Sequence, residues 1–396
     1  MAGLLNKLRM MDAAGKKPAG KTEAADSPTS ALYHKEHLYP LTTFCDRRHA
    51  TPGILEKVFE CAFPNKVCPE DVLFLDTETT GLSGGVGTVA FQIGLGYFTR
   101  VGFVVEQFLM HDYPQESEML RQLSSRMKRF SIICTFNGKS FDVPLLRSRL
   151  VMNRMRDDCI PSVHADVLYP ARRLWKLRLR QCTLGRLENQ LLGVEREDDL
   201  PGAMVPQAYF QYLKDRQFGP MEKVLEHNRQ DIVSLAQLYF ELCRLMAKPE
   251  EVNEGEDLLS LARMCERNGD TQRANKCYRM CAKGETRAEA FRALSINAKR
   301  QGQTDTAVKL CKAMLTRGDD PIYAYEALAK LYEHQLRQPE QALHYTRQAL
   351  LMLAEPTLVR TEQTQQKQLE LKHRYARLRR KMLNQNSAPE KQGATP

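Results

Sequence analysis

Asp71-Val-Leu-Phe-Leu-Asp76-Thr-Glu78-Thr-Thr-Gly81 runs from four consecutive apolar residues straight into two acids. A short apolar run of this kind reads as a buried strand. Side chains alternate along a strand, so Asp76 and Glu78 share a face. Two carboxylates side by side at the end of a buried strand repel each other and lose hydration unless something neutralises them. A bound divalent cation does so. The competing reading is a strand end whose acids face water, and the rest of the chain decides between the two.

Downstream, the Gly-rich loop Gly81–Gly87 leads to expected strands at 88–98 and 102–110, close enough in sequence to pair antiparallel. A helix is expected at 115–129, with Met119, Leu120, Leu123 and Met127 on one stripe. A buried strand at 131–136, a helix from about Phe141, a strand at 163–168 and a long helix at 220–246 follow. Three hairpin strands and then alternating helix and strand predict an α/β domain with a mixed sheet flanked by helices. On the long helix, Val224, His227, Asp231, Leu235 and Leu238 fall on one stripe. His227 and Asp231 therefore point toward the core, either as a satisfied His–Asp pair or as part of a site over the end of the sheet.

Asn137-Gly-Lys-Ser-Phe-Asp142 joins a strand to a helix. It is not a phosphate-binding loop, because Ile133 stands where that motif needs its first glycine. Alone, Asp142 would read as a helix-capping residue. The stretch Arg172–Arg180 carries five cations, no acids and the single tryptophan. It reads either as a solvated helix face or as a phosphate-tracking surface.

Together these stretches are recognisable. Asp76-Thr-Glu78-Thr-Thr-Gly-Leu82 resembles the first motif of the DnaQ-type (DEDD) exonucleases, Asn137–Asp142 the second and His227-Asn-Arg-Gln-Asp231 the third. More closely, residues 71–246 resemble the YprB-type ribonuclease H-like proteins of bacteria, with Asp199-Leu-Pro-Gly202 upstream of Glu226-His-Asn-Arg-Gln-Asp231-Ile as supporting detail. In the His-type exonucleases the histidine precedes its aspartate by five residues. Here the gap is four, as in the Tyr-type branch, which turns the ring by ~100° around the helix.

The resemblance implies a ribonuclease H-like fold and hydrolysis of phosphodiester bonds from a 3′ end with two Mg²⁺ or Mn²⁺ ions. Asp76, Glu78, Asp142 and Asp231 would hold the metals, and His227 would act as the base. Thr77, Thr79, Leu82, Asn137, Lys139, Arg172, Arg173 and Lys176 are the expected substrate contacts, with RNA or single-stranded DNA as the partner. The competing class is a nucleic-acid-binding scaffold with weak or no turnover, acting through the C-terminal third.

That third repeats. Leu261-Ala262, Leu294-Ser295 and Leu328-Ala329 recur at steps of 33 and 34 residues, each followed at 12 to 13 residues by Ala274, Ala307 or Ala342. Small residues at these points let paired helices pack closely, and the pattern resembles tetratricopeptide repeats, which bind partner peptides or pack on a neighbouring domain. The expected organisation is a basic disordered leader (1–30), an N-terminal extension (31–70) with a helix at 53–61, and a ribonuclease H-like domain (71–247). An all-α repeat domain (252–355), a basic helix (356–383) and a disordered tail (384–396) complete it. The 396 residues carry a net charge of +10, which favours an anionic partner. The 11 scattered cysteines read as core residues of a reducing compartment rather than as a disulfide framework. Without a secretory pattern at the N-terminus or an apolar run near the ~20 residues of a membrane span, the cytoplasm is the expected location.

Overall fold

A computed structural model describes residues 31–81, 87–196, 200–354 and 361–386. Leu82, Asp199, the leader at 1–30 and the last ten residues of the tail lie outside the described residues. Six strands form one mixed sheet in the order β1-β4-β3-β2-β5-β6. These are β1 (Tyr33–Tyr39), β2 (Val72–Thr79), β3 (Ala90–Phe98), β4 (Phe103–Leu109), β5 (Ile132–Thr135) and β6 (Val163–Asp166). The hairpin strands β2, β3 and β4 pair antiparallel, and β5 and β6 add in parallel on the other side of β2. β1 was not foreseen. Its burial is irregular, as expected of an edge strand, so it carries no strict alternation to read, and it pairs antiparallel with the outer edge of β4.

The helices that matter for the site are α1 (Pro52–Phe59), α2 (Glu116–Met127), α3 (Asp142–Met152) and α4 (Leu168–Leu179). They are followed by the short α5 (Leu184–Leu187), which continues into a π-helical turn at Glu188–Leu192, then α6 (Val205–Asp215) and α7 (Gly219–Ala247). β2 shows why the sheet is buried on both faces. Val72 and Phe74 enter one core with the body of α7, whereas Leu73 and Leu75 enter a second core with α2, α3 and α6. Alternation then carries Asp76 and Glu78 onto the Val72 and Phe74 side, the side of α7.

Helix α7 crosses between the two cores. Met221, Val224 and Leu225 belong to the second core and Ile232 onward to the first. The changeover is where His227, Asn228 and Asp231 stand. The helix reaches the sheet because β3 offers glycines beneath it. A Cβ at Gly94 would lie 2.2 Å from Asn228 Oδ1, and one at Gly96 would lie 2.5 Å from Ile232 Cγ2.

Seven further helices complete the described chain: α8 (Gly255–Arg267), α9 (Thr271–Met280), α10 (Arg287–Arg300), α11 (Thr304–Arg317), α12 (Pro321–His334), α13 (Pro339–Ala354) and α14 (Glu362–Asn386). Three- and four-residue links fold the first six into hairpins. The small markers Ala274, Ala307 and Ala342 are fully buried, as close helix packing requires. The first hairpin is not separate from the sheet domain. Leu258, Leu261, Cys265 and Cys277 share the core of α4 and α7, and Arg178 donates two hydrogen bonds to the buried Asp257 at 2.7 and 2.9 Å.

The close approach at Gly94 makes a prediction. Gly94→Ala must displace the buried Asn228 amide, and overpacking of this kind costs about 1–3 kcal/mol. Denaturant unfolding of the variant should show that loss, and an unchanged midpoint would contradict the tight seat of α7.

Candidate metal centre

Three elements bring carboxylates together. β2 supplies Asp76 and Glu78, the first turn of α3 supplies Asp142, and α7 supplies Asp231 with His227 one turn earlier. Ligand atoms of Glu78, His227 and Asp231 lie within 4.8 Å of one another. His227 Nε2 is 3.6 Å from Asp231 Oδ2. Asp76 is tied to α7 through Asn228 Nδ2 at 2.9 Å, and Asp142 to β2 through Thr77 Oγ1 at 2.5 Å.

The electrostatic state of the cluster follows. Burial first, then the negative charge of Asp231 and Asp142, drive the Asp76 carboxyl well above its usual range. Glu78 is driven up by burial and by Asp76, Asp231 and Asp142. Burial raises Asp142 to about 6, against the hydrogen bond from Thr77 Oγ1 at 2.5 Å. Asp231 is raised by burial and drawn back by His227 and Arg196. Carboxylates held this way are short of positive charge.

The surrounding structure explains how they are held. Asn228, fully buried beside His227, donates from Nδ2 to Asp76 Oδ2 at 2.9 Å and accepts at Oδ1 from Gln107 Nε2 at 3.0 Å. Asp166, buried at the end of β6, accepts from the backbone N–H groups of Asn137 and Lys139 at 2.8 and 3.0 Å. It thereby folds the turn, with Asn137 at φ +67°, that delivers Asp142 to the first turn of α3. Arg196 enters from the loop after the π-helical turn. It pairs with the buried Glu188 through two hydrogen bonds of 2.6 and 2.8 Å, donates to Asp231, and donates from Nη1 to His227 Nδ1 at 3.0 Å. None of Asn228, Asp166, Glu188 or Arg196 was singled out from the sequence. Asp166 alone carried a readable signal, an acid at the end of a buried strand, the criterion already applied to Asp76.

The expected substrate contacts fall into two sets. Thr77 holds Asp142, and Thr79 Oγ1 donates to the Gly81 carbonyl at 2.8 Å, so both hydroxyls serve the local structure. Asn137 forms the turn, and Lys139 is exposed beside it. In α4, Arg173 pairs with Glu60 and Arg178 with Asp257, while Trp175 is buried. Arg172 and Lys176 are exposed. The basic run is thus divided between a packing face and a solvent face.

The donor set suits hard divalent cations, which take carboxylate oxygens. A second observation fits a bound group. Gln92 on β3 lies opposite Glu78 in the ladder, fully buried, and neither atom of its amide has a hydrogen-bond partner among the described residues. A buried polar group left so costs free energy unless a ligand or water meets it.

A sequence model of the RNase_H superfamily matches residues 73–243. The uncharacterized protein YprB of Bacillus subtilis (strain 168) is 31% identical over 313 residues, 77% of this chain and 75% of that protein. The chain belongs to the YprB family, within the RNase_H superfamily. Its mixed six-stranded sheet with flanking helices fits that superfamily's fold, whose members are generally nucleases that use divalent metals. A family B DNA polymerase from Pyrobaculum calidifontis aligns at a TM-score of 0.37 and 15% identity, over 53% of this chain and 30% of the polymerase. No described helix is long and apolar enough to cross a membrane.

The raised carboxyls set a pH dependence. An unfolded aspartate titrates near 3.8 and Asp142 in the fold at about 6. Between these values the native state keeps a proton that the unfolded chain has released, so metal-free protein loses stability as pH climbs from about 4 to about 6. For Asp142 the loss is on the order of 3 kcal/mol, and Asp76, Glu78 and Asp231 act in the same direction. Melts in EDTA across this range should fall more steeply for the wild type than for Asp142→Asn. The reverse ordering would contradict the repulsion.

Proposed function

We propose that this protein is a metal-dependent nuclease of the DEDD type that removes nucleotides from the 3′ end of RNA or single-stranded DNA. The observation that carries this reading is the meeting of acids from three elements: Glu78 and Asp231 close on His227, Asp76 bonded to Asn228 of the same helix, and Asp142 bonded to Thr77 of the same strand. Asp76, Glu78, Asp142 and Asp231 would hold two Mg²⁺ or Mn²⁺ ions. Bound there, such ions supply Lewis-acid activation of water and stabilise charge on the oxygens of an in-line displacement.

The chain's own residues do the rest. Asn228 and Thr77 keep Asp76 and Asp142 in place through their hydrogen bonds. Asp231 Oδ2 faces Nε2 of His227, and Nδ1, which Arg196 Nη1 meets at 3.0 Å, is the atom that would accept the proton of the attacking water once that contact is released. The exposed cations Lys139, Arg172 and Lys176 contribute phosphate contacts. The paired helices from Gly255 to Ala354, with their steps of 33 and 34 residues, are tetratricopeptide-type repeats that present a surface to a protein partner.

The test is purified full-length protein on end-labelled RNA and DNA with Mg²⁺, Mn²⁺ or EDTA. Metal-dependent release of single nucleotides from the 3′ end is expected, and it should be abolished by Asp76→Asn with Asp142→Asn. His227→Ala should lower turnover by ~10²–10⁴-fold with binding nearly intact. A folded protein that binds these strands yet cleaves none of them would favour the scaffold reading. Equal loss of binding and turnover in His227→Ala would make the histidine structural.

A further inference from the structure

The sequence motifs leave Arg196 without a role, yet it makes the densest set of contacts at the centre. Its guanidinium reaches Glu188 with two hydrogen bonds, Asp231 with another and His227 Nδ1 with a fourth. Its side chain is mostly buried, as are those of Glu188, His227 and Asp231. As an arginine it is a permanent cation.

We infer that Arg196 is a built-in counter-cation of the metal-free centre, which divalent metal must displace from Asp231 and His227. This rests on the metal-centre reading above. Three features of the geometry carry it. First, the guanidinium occupies atoms that the proposed reaction needs. Arginine can only donate, so His227 Nδ1 accepts its hydrogen bond. In the neutral ring the proton then sits on Nε2, toward Asp231, and the remaining lone pair is engaged. While Arg196 is seated, Nδ1 is not available to take a proton from water, and an oxygen of Asp231 is committed to the guanidinium.

Second, the charge balance favours exchange. The one guanidinium charge is shared between Glu188 and Asp231 and leaves the four site carboxylates largely uncompensated, whereas two divalent ions offset all four. Third, the side chain has somewhere to stay. Glu188 is buried and grips the guanidinium by two hydrogen bonds of its own, so leaving Asp231 and His227 does not strand an unpaired buried cation. Glu188 is the anchor, and Asp231 with His227 is the releasable side. One exchange of cations would then both load the centre and free the base, so the protein remains stable and inactive until metal arrives.

The experiment measures Mn²⁺ affinity by calorimetry and melting temperature in EDTA, on the full chain. Arg196→Gln should melt lower than wild type in EDTA, because the cluster has lost its counter-charge. It should bind Mn²⁺ at least tenfold more tightly, because nothing has to be displaced. Arg196→Lys keeps a charge but not the three-way bridge, and should show the same two changes to a smaller degree. A folded Arg196→Gln protein whose Mn²⁺ affinity is unchanged or weaker would overturn the inference and leave Arg196 as a fixed structural cation. Should the glutamine variant fail to fold, the lysine variant decides on the same criterion. Asp76→Asn with Asp142→Asn separates the two ideas. If it binds Mn²⁺ as wild type does, the metal-centre reading fails and the displacement falls with it. If it loses Mn²⁺ while Arg196→Gln matches wild type, only the displacement fails.

Discussion

Four carboxylates crowded at the end of one buried strand are the constraint on which the rest depends. Asp76 and Glu78 share a face of β2 because strand side chains alternate, and Asp142 and Asp231 are delivered to them by α3 and α7. In a fold built only for stability such a cluster would be a defect, since each acid is pushed toward its protonated form by burial and most also by its neighbours. The structure nonetheless invests in holding it. Asn228, Thr77 and Asp166 each spend a buried or partly buried hydrogen-bonding group on placing or orienting a carboxylate. The proposed metal would give the arrangement its energetic sense, and Arg196 is a cation the chain supplies from within.

The position of α7 converts this constraint into a fold. A helix carrying His227, Asn228 and Asp231 can serve the site only if it crosses the sheet at close range. Gly94 and Gly96 allow that range, and the change of core between Leu225 and Ile232 sets the polar residues over the strand end. The same helix then runs on beneath the first helical hairpin, so the sheet and that hairpin share one core. Across the expected domain boundary at 247–252, α4 and α8 are packed together and joined by the pair of Arg178 with the buried Asp257.

What could be read from the sequence were patterns confined to one element. The alternate acids Asp76 and Glu78 of β2 and the 3–4 spacing of Val224, His227, Asp231, Leu235 and Leu238 on α7 each declare a face, and Val72 and Phe74 on the first share a core with Leu235 and Leu238 on the second. What could not be read were partnerships across the fold. Arg196 sits 31 residues from His227 and 35 from Asp231, in a loop with no periodicity. Arg173 and Arg178 looked like a run of free cations because Glu60 and Asp257 lie far away in sequence. β1 escaped notice because an edge strand half in solvent has little hydrophobic pattern to show.

The central claim is that the four carboxylates form a metal centre, and anomalous diffraction from crystals soaked in Mn²⁺ tests it most directly. Manganese peaks enclosed by the carboxylates of Asp76, Glu78, Asp142 and Asp231 are expected, with the Arg196 guanidinium withdrawn from Asp231. Saturating Mn²⁺ that leaves no peak among these carboxylates, with Arg196 still seated on Asp231 and His227, would contradict it.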